Sequence, residues 1–158
     1  MSITLITGVP GSGKTLYTVS KLLGPIVGSQ IPVDDDEGRT VMHTRTVFSN
    51  VNGLLLDHEL IDANGAWAYK EKVWEFVGNS GGLHDWHEWA QPGSFIVFDE
   101  FQKAWPPRPN GSPVPPDVQA LDTHRHMGVD FVLLTQNPLN VDRHVLGLVD
   151  RHLHIRRV

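Results

Sequence analysis

Cysteine is missing from all 158 residues. Disulfide staples, zinc–thiolate centres and thiol nucleophiles are thereby excluded, and the absence fits a cytosolic protein. Positive charge is scarce too, with 13 Lys and Arg against 18 Asp and Glu and a formal net charge of −5. That balance leaves no broad basic face of the kind that sequence-blind nucleic-acid binding needs. No segment approaches the ~20 apolar residues of a membrane helix. The start, Met1-Ser2-Ile3-Thr4-Leu5-Ile6-Thr7, lacks the basic opening and long apolar run of a signal peptide. What is present is a globular composition, 40% hydrophobic and 20% charged, with length for one domain over residues 1–158. The end, His152-Leu153-His154-Ile155-Arg156-Arg157-Val158, reads as a strand in progress, so the chain is expected to be the front part of a longer protein.

Along the chain, strand and helix signals alternate. Residues 2–7 read as a buried strand, 8–13 as glycine-rich loop and 14–23 as a helix stopped by Gly24-Pro25. Residues 28–39 read as loop with an acidic knot, Asp34-Asp35-Asp36-Glu37, and 46–51 as a second strand. Trp67, Trp74 and Val77 at helical spacing suggest a helix over 66–77, and 84–89 a short helical turn. Residues 94–98 are a wholly apolar strand, 105–116 a proline-dense loop, 118–126 about two helical turns, 130–134 another apolar strand and 152–155 a last one. Continuously apolar strands between helices indicate a mainly parallel sheet covered on both faces.

Gly8-Val9-Pro10-Gly11-Ser12-Gly13-Lys14-Thr15 fits G-x-x-x-x-G-K-[ST] without a mismatch, and Leu16 follows it into the helix. The glycines let successive N–H groups turn inward around phosphate oxygens, and the following helix points its positive end at the same anion. Lys14 supplies charge for the β- and γ-phosphates, and the Thr15 hydroxyl is a magnesium ligand. The second feature is Phe95-Ile96-Val97-Phe98-Asp99-Glu100, four apolar residues and two acids. With the cradle, Asp99 is expected to hold magnesium and Glu100 to orient the attacking water. Without the cradle, the pair would read as a solvated acidic turn. The third is the strand end Thr135-Gln136-Asn137, where Gln136 is placed to touch the γ-phosphate or its water, or where the chain turns before Pro138.

Together with Trp105-Pro106 and the stretch Thr123-His124-Arg125-His126-Met127-Gly128-Val129-Asp130, these segments resemble the N-terminal domain of zonula occludens toxin-like proteins, the filamentous-phage assembly ATPases. The resemblance implies a cytoplasmic domain of a protein anchored in the host inner membrane through a later segment. It implies turnover that powers filament assembly and extrusion with phage DNA and coat as partners. The toxin activity named for the family is associated with a C-terminal tail that these residues do not include.

Arg125 and Arg108 are candidate arginine fingers. Arg125 would reach only a neighbouring subunit's ATP, because it precedes a strand at the sheet end opposite the cradle. Arg108 follows Asp99-Glu100 and lies nearer. The nine histidines include three close pairs but no motif that brings three ligands together, so hydrogen-bonded histidines are expected rather than a structural metal. Arg143, Arg151, Arg156 and Arg157 could form a DNA- or headgroup-facing edge, but a charged edge strand that resists aggregation accounts for them better. Trp67, Trp74, Trp86 and Trp89 are expected in the core. The reading is an α/β P-loop NTPase, a three-layer sandwich with a mainly parallel sheet of about five strands. One extra strand is expected between the cradle strand and the Asp99 strand. ATP and Mg2+ are the expected ligands and a homo-oligomer the expected assembly. The alternatives are a P-loop small-molecule kinase and a nucleotide-binding interaction module without turnover.

Overall fold

The computed structural model describes residues 2–8, 18–51 and 57–156. Three strands, β1 (Ile3–Thr7), β8 (Phe95–Phe98) and β9 (Asp130–Thr135), are buried at every position. Runs of β-branched, aromatic and leucine side chains suit strands covered on both faces, where no position can be turned to water. They form the centre of a six-stranded sheet in the order β10-β1-β9-β8-β4-β5, with β4 (Val47–Ser49), β5 (Glu59–Leu60) and β10 (Arg151–His154). Every pairing in it is parallel. The strand beyond the expected five is β5, whose two exposed residues are too short to leave a periodic signal. As expected, a single strand, β9, separates β1 from β8.

Side-chain alternation divides the core into two layers. Ile6, Val97, Val132 and Leu134 face Leu22, Leu23, Ile26 and Val27, which lie in and just after helix α1 (Thr18–Leu23). Ile3, Leu5, Ile96, Phe98, Phe131 and Leu133 face the opposite layer, which includes Trp86, Leu121 and Val145. That layer is built from α2 (Trp86–Trp89), α3 (Pro116–Gln119), α4 (His124–Met127) and α5 (Arg143–Gly147). A 3-10 turn, Ala120–Thr123, joins α3 to α4, so the helix expected over 118–126 is a segmented one. Trp86, fully buried, meets Phe131 edge-on at 4.9 Å. Two acids pin the amino edge of the sheet. Asp130 accepts from the Ser2 amide at 2.6 Å and pairs with Arg45, and Asp150 accepts from the Ile3 amide at 2.8 Å and pairs with Arg125.

Two expectations fail locally. Residues 66–77 are not a helix but an antiparallel hairpin, β6 (Ala66–Lys70) and β7 (Val73–Val77). The seven-residue spacing of Trp67 and Trp74 mimics a helical face, yet alternation places Trp67, Tyr69, Trp74 and Phe76 on one face of the ribbon. There they pair across the strands, with ring centroids 5.1 Å apart for Trp67–Phe76 and 4.8 Å for Tyr69–Trp74. The turn residues Glu71 and Lys72 both take positive φ, 51° and 65°, as a two-residue hairpin turn of the right twist demands. Residues 28–39 are likewise more than loop. β2 (Gln30–Asp34) and β3 (Thr40–Thr44) pair antiparallel, and the acidic knot closes their turn, with Asp35 accepting from the Glu37 and Arg39 amides. Both ribbons lie largely outside the core, so hydrophobic burial wrote no clear pattern into either. Of the tryptophans, Trp86 is core and Trp89 packs on Phe48, while Trp67 and Trp74 belong to the ribbon.

Candidate functional site

Parallel strands end together. Gly8 continues β1, Gln136 continues β9 and Asp99 continues β8, so all three stand at the carboxyl edge of the sheet. Register confirms the alignment, with Thr7 opposite Thr135 and Leu133 opposite Phe98. Two lateral spacings of ~4.8 Å and a stagger of ~6.6 Å along the strands put the chain positions of Gly8 and Asp99 about 12 Å apart, with β9 between them. Val9, Pro10, Gly11, Ser12, Gly13, Lys14, Thr15 and Leu16 lie outside the described residues.

On β8, Phe95 and Val97 face the α1 layer and Ile96 and Phe98 the other. Continued alternation assigns Asp99 to the α1 side, which is the side of the helix that follows the glycine turn. Its Oδ1 accepts from the Glu100 amide at 2.9 Å. Asn50, at the end of the neighbouring strand, donates through Nδ2 to the Asp99 carbonyl at 3.0 Å and accepts through Oδ1 from the Asp99 amide at 2.6 Å. Glu100 then takes the left-handed conformation, φ 51° and ψ 44°. A side chain held there costs about 1–2 kcal/mol, and two neutral hydrogen bonds return about 1 kcal/mol each. The Asn50 bonds are therefore of the size needed to hold the turn.

The turn is tied on its other flank as well. Gln102, in the 3-10 turn Phe101–Lys103, accepts through Oε1 from the Thr135 hydroxyl at 2.9 Å, which links it to the end of β9. The Glu100 carboxylate accepts from Lys103 Nζ at 3.0 Å, and both side chains are exposed. Such a pair is worth about 0–1 kcal/mol, so Glu100 can leave it readily. Gln136 is exposed at the tip of β9, while Asn137 makes the turn before Pro138 by accepting from the Leu139 amide at 2.9 Å.

Arg108 is engaged inside the chain. Its Nε donates to Asp142 Oδ2 at 2.5 Å, and Nη1 donates to the Ser112 and Pro113 carbonyls at 3.3 and 3.0 Å. The guanidinium thus fastens the proline loop to Asp142, which is buried and caps α5 through the His144 amide. Arg125 pairs with Asp150 at the amino edge, the end away from Gly8 and Asp99. Arg125 therefore lies away from the carboxyl edge within one chain, whereas Arg108 is held by Asp142 in the segments that follow β8 and β9.

His84, His124, His144, His152 and His154 bond to other residue types rather than to each other. Thr7 Oγ1 lies 2.7 Å from His152 Nε2 and 2.9 Å from His154 Nδ1. A hydroxyl has one proton, so it donates to one ring and accepts from the other. His84 Nδ1 and Trp105 Nε1 both reach Asp117 Oδ2, at 2.8 and 2.9 Å, beside a cleft of about 310 Å³ lined in part by Trp67, Lys103 and Arg108. His124 is buried, its Nδ1 donates to the Leu121 carbonyl at 2.7 Å, and burial lowers its pKa below the ordinary 6.5. Among the described residues, no group of three or more His, Asp or Glu side chains could hold a metal ion.

Asn50 and Gln102 were not picked out from the sequence. Both stand within three residues of a strand end or of the acidic pair, but an isolated amide carries no motif. Their roles come from which strands lie side by side.

The comparisons decide the family. The model for zonular occludens toxin (Zot) matches residues 2–158. The chain belongs to the Zot family. It is similar to a putative assembly protein of Pseudomonas phage Pf3, with 35% identity over 163 residues, which cover 98% of this chain and 42% of that protein. The chain therefore spans less than half the length of this curated relative. The N-terminal domain of zonular occludens toxin from Neisseria meningitidis superposes with a TM-score of 0.73 at 38% identity, over 97% of this chain and 75% of that one. The genome packaging NTPase B204 of Sulfolobus turreted icosahedral virus 2, in complex with ATP-gammaS, shares the fold, with a TM-score of 0.51, 16% identity and coverage of 94% and 72%. The architecture is thus the P-loop NTPase α/β fold. Among the described residues of this Zot-family chain, no helix is long and apolar enough to cross a membrane.

Proposed function

We propose that this Zot-family domain binds Mg-ATP at the carboxyl edge of its sheet and hydrolyses it to power assembly and extrusion of a filamentous phage. The observation that carries the reading is the shared edge. The strand that leads into Gly8 and the strand that leads into Asp99-Glu100 finish at the same edge of the sheet, with β9 between them. A triphosphate held over β1 would span toward Asp99, as in-line phosphoryl transfer requires. The donor set fits magnesium, a hard cation that takes oxygen ligands. Thr15 and Asp99 would hold it, and when bound it neutralises charge on the β- and γ-phosphate oxygens.

The remaining work falls to side chains of this chain. The turn amides and Lys14 bind and orient the phosphates. Glu100, released from Lys103, accepts a proton from the attacking water and aims it at phosphorus. Gln136, exposed just past the end of the intervening strand, senses the γ-phosphate in this reading. The engagement of Arg108 with Asp142 favours Arg125 as the finger, donated to a neighbouring subunit in a homo-oligomer. The printed name of the phage Pf3 relative supports a role in phage assembly, with DNA or coat as the moved partner. Family resemblance supports a place at the cytoplasmic face of the inner membrane, through a segment outside these residues.

Acceptor-free phosphate release by the full-length protein tests this. Lys14→Ala should abolish binding or turnover. Glu100→Gln should keep affinity for Mg-ATP while turnover drops on the order of a hundredfold. Lys14→Ala with affinity and turnover both unchanged, or no heat on mixing the protein with Mg-ATP or Mg-GTP, would overturn the reading. A kinase would be nearly silent without an acceptor.

A further inference from the structure

The ladder between β4 and β8 stops where Ser49 lies opposite Val97. One residue on, the side chain of Asn50 takes over from the backbone, bonding both the amide and the carbonyl of Asp99. A carboxamide is a peptide group on a short stem, so it can offer donor and acceptor together to one residue. Aspartate lacks the donor, an aliphatic residue lacks both, and glutamine is a methylene too long. The two bonds fix both flanks of Asp99, and with them the peptide that leads into Glu100. Glu100 leaves that peptide in a left-handed conformation, which a non-glycine residue keeps only when its surroundings impose it.

We propose that Asn50 is a positioning residue. It clamps the end of β8 so that Glu100 is held in the left-handed turn and directed to the carboxyl edge. The clamp's catalytic consequence rests on the hydrolytic reading above; its conformational consequence does not. Asn50 acts through the backbone. Its loss removes none of the side chains assigned to the site, but frees the direction of Glu100.

Two measurements on the full chain test this. In steady-state ATP hydrolysis, Asn50→Ala and Asn50→Asp should lower kcat about tenfold to a hundredfold, as misplacement of a reacting group does. KM should stay within about twofold, because the substrate-binding groups are untouched. Asn50→Asp keeps the acceptor for the Asp99 amide and serves if the alanine variant folds poorly. The second measurement is a urea-unfolding cycle with Glu100→Gly. Glycine enters the left-handed region freely, so the midpoint shift caused by Asn50→Ala should shrink to about half or less in that background. A wild-type protein that turns over ATP beside an Asn50→Ala variant with full kcat, or a cycle that is strictly additive, overturns the clamp. If wild-type protein shows no turnover, the hydrolytic reading fails, and the unfolding cycle alone decides whether Asn50 holds the turn.

Discussion

Replacing Glu71 and Lys72 by Asn and Gly should stabilise the ribbon between β6 and β7, and the sign of the effect separates a hairpin from a helix. Both residues have positive φ, 51° and 65°. Holding a side chain there costs about 1–2 kcal/mol per residue. Lys72→Gly removes that strain but adds about 0.5–1 kcal/mol of backbone entropy lost on folding. Glu71→Asn gains about 0.5 kcal/mol, because asparagine tolerates the left-handed region. The expected net gain is about 1 kcal/mol. For 158 residues the unfolding entropy is about 0.33 kcal/mol/K, so the melting temperature should rise by about 3 °C. Locally, the same energy slows amide exchange across residues 66–77 about fivefold. On a helix the double substitution would be destabilising, since glycine alone costs about 1 kcal/mol in a helix interior. Hydrogen–deuterium exchange of the ribbon peptides, read beside a calorimetric melt, settles the point. Faster exchange over 66–77 together with a lower melting temperature would refute the hairpin argument.

Other perturbations have equally definite outcomes. Arg108→Ala strips the partner from a carboxylate, Asp142, whose side chain is 3% exposed. It should cost about 3 kcal/mol in urea unfolding, whereas an Arg108 that served only as a finger would change turnover and leave stability alone. His124 is held neutral by burial, with a folded pKa below 6.5. The unfolded chain then binds the extra proton, so His124's contribution is fully present above about pH 6.5 and is lost as pH falls toward the lowered folded value. His124→Gln should flatten the stability–pH slope in that window, measured by urea midpoints at a series of pH values. Asp99→Asn should weaken the magnesium dependence of ATP binding while leaving the melting temperature of the protein without nucleotide within a few degrees. Titration calorimetry with and without Mg2+ reads the first effect.

The parts of the fold that could be read in advance share one physical cause. β1, β8 and β9 are covered on both faces, so apart from the ion-paired Asp130 that opens β9 every position is apolar or a threonine, and each run announces itself. The glycine-rich motif is equally plain, because its residue types stand at fixed spacing. Trp67 and Trp74 show the opposite case. Seven residues is two turns of helix and also the separation of neighbouring positions on one face of a tight hairpin, and composition alone does not choose. The ribbon won because Trp67 and Phe76, and Tyr69 and Trp74, could pair across it.

By itself, then, the chain determined which strands are buried, that a glycine-rich segment fitting G-x-x-x-x-G-K-[ST] follows the first of them, and that two acids close a later strand. Those features follow from local chemistry, through burial of apolar runs and backbone freedom at glycine. Only the tertiary structure decided that Asn50 clamps Asp99, that Gln102 ties the acidic turn to Thr135, and that Arg108 fastens the proline loop to Asp142. Each of these contacts joins residues more than thirty positions apart. Which polar side chain meets which depends on strand order, and strand order comes from packing the whole sheet rather than from any segment of it.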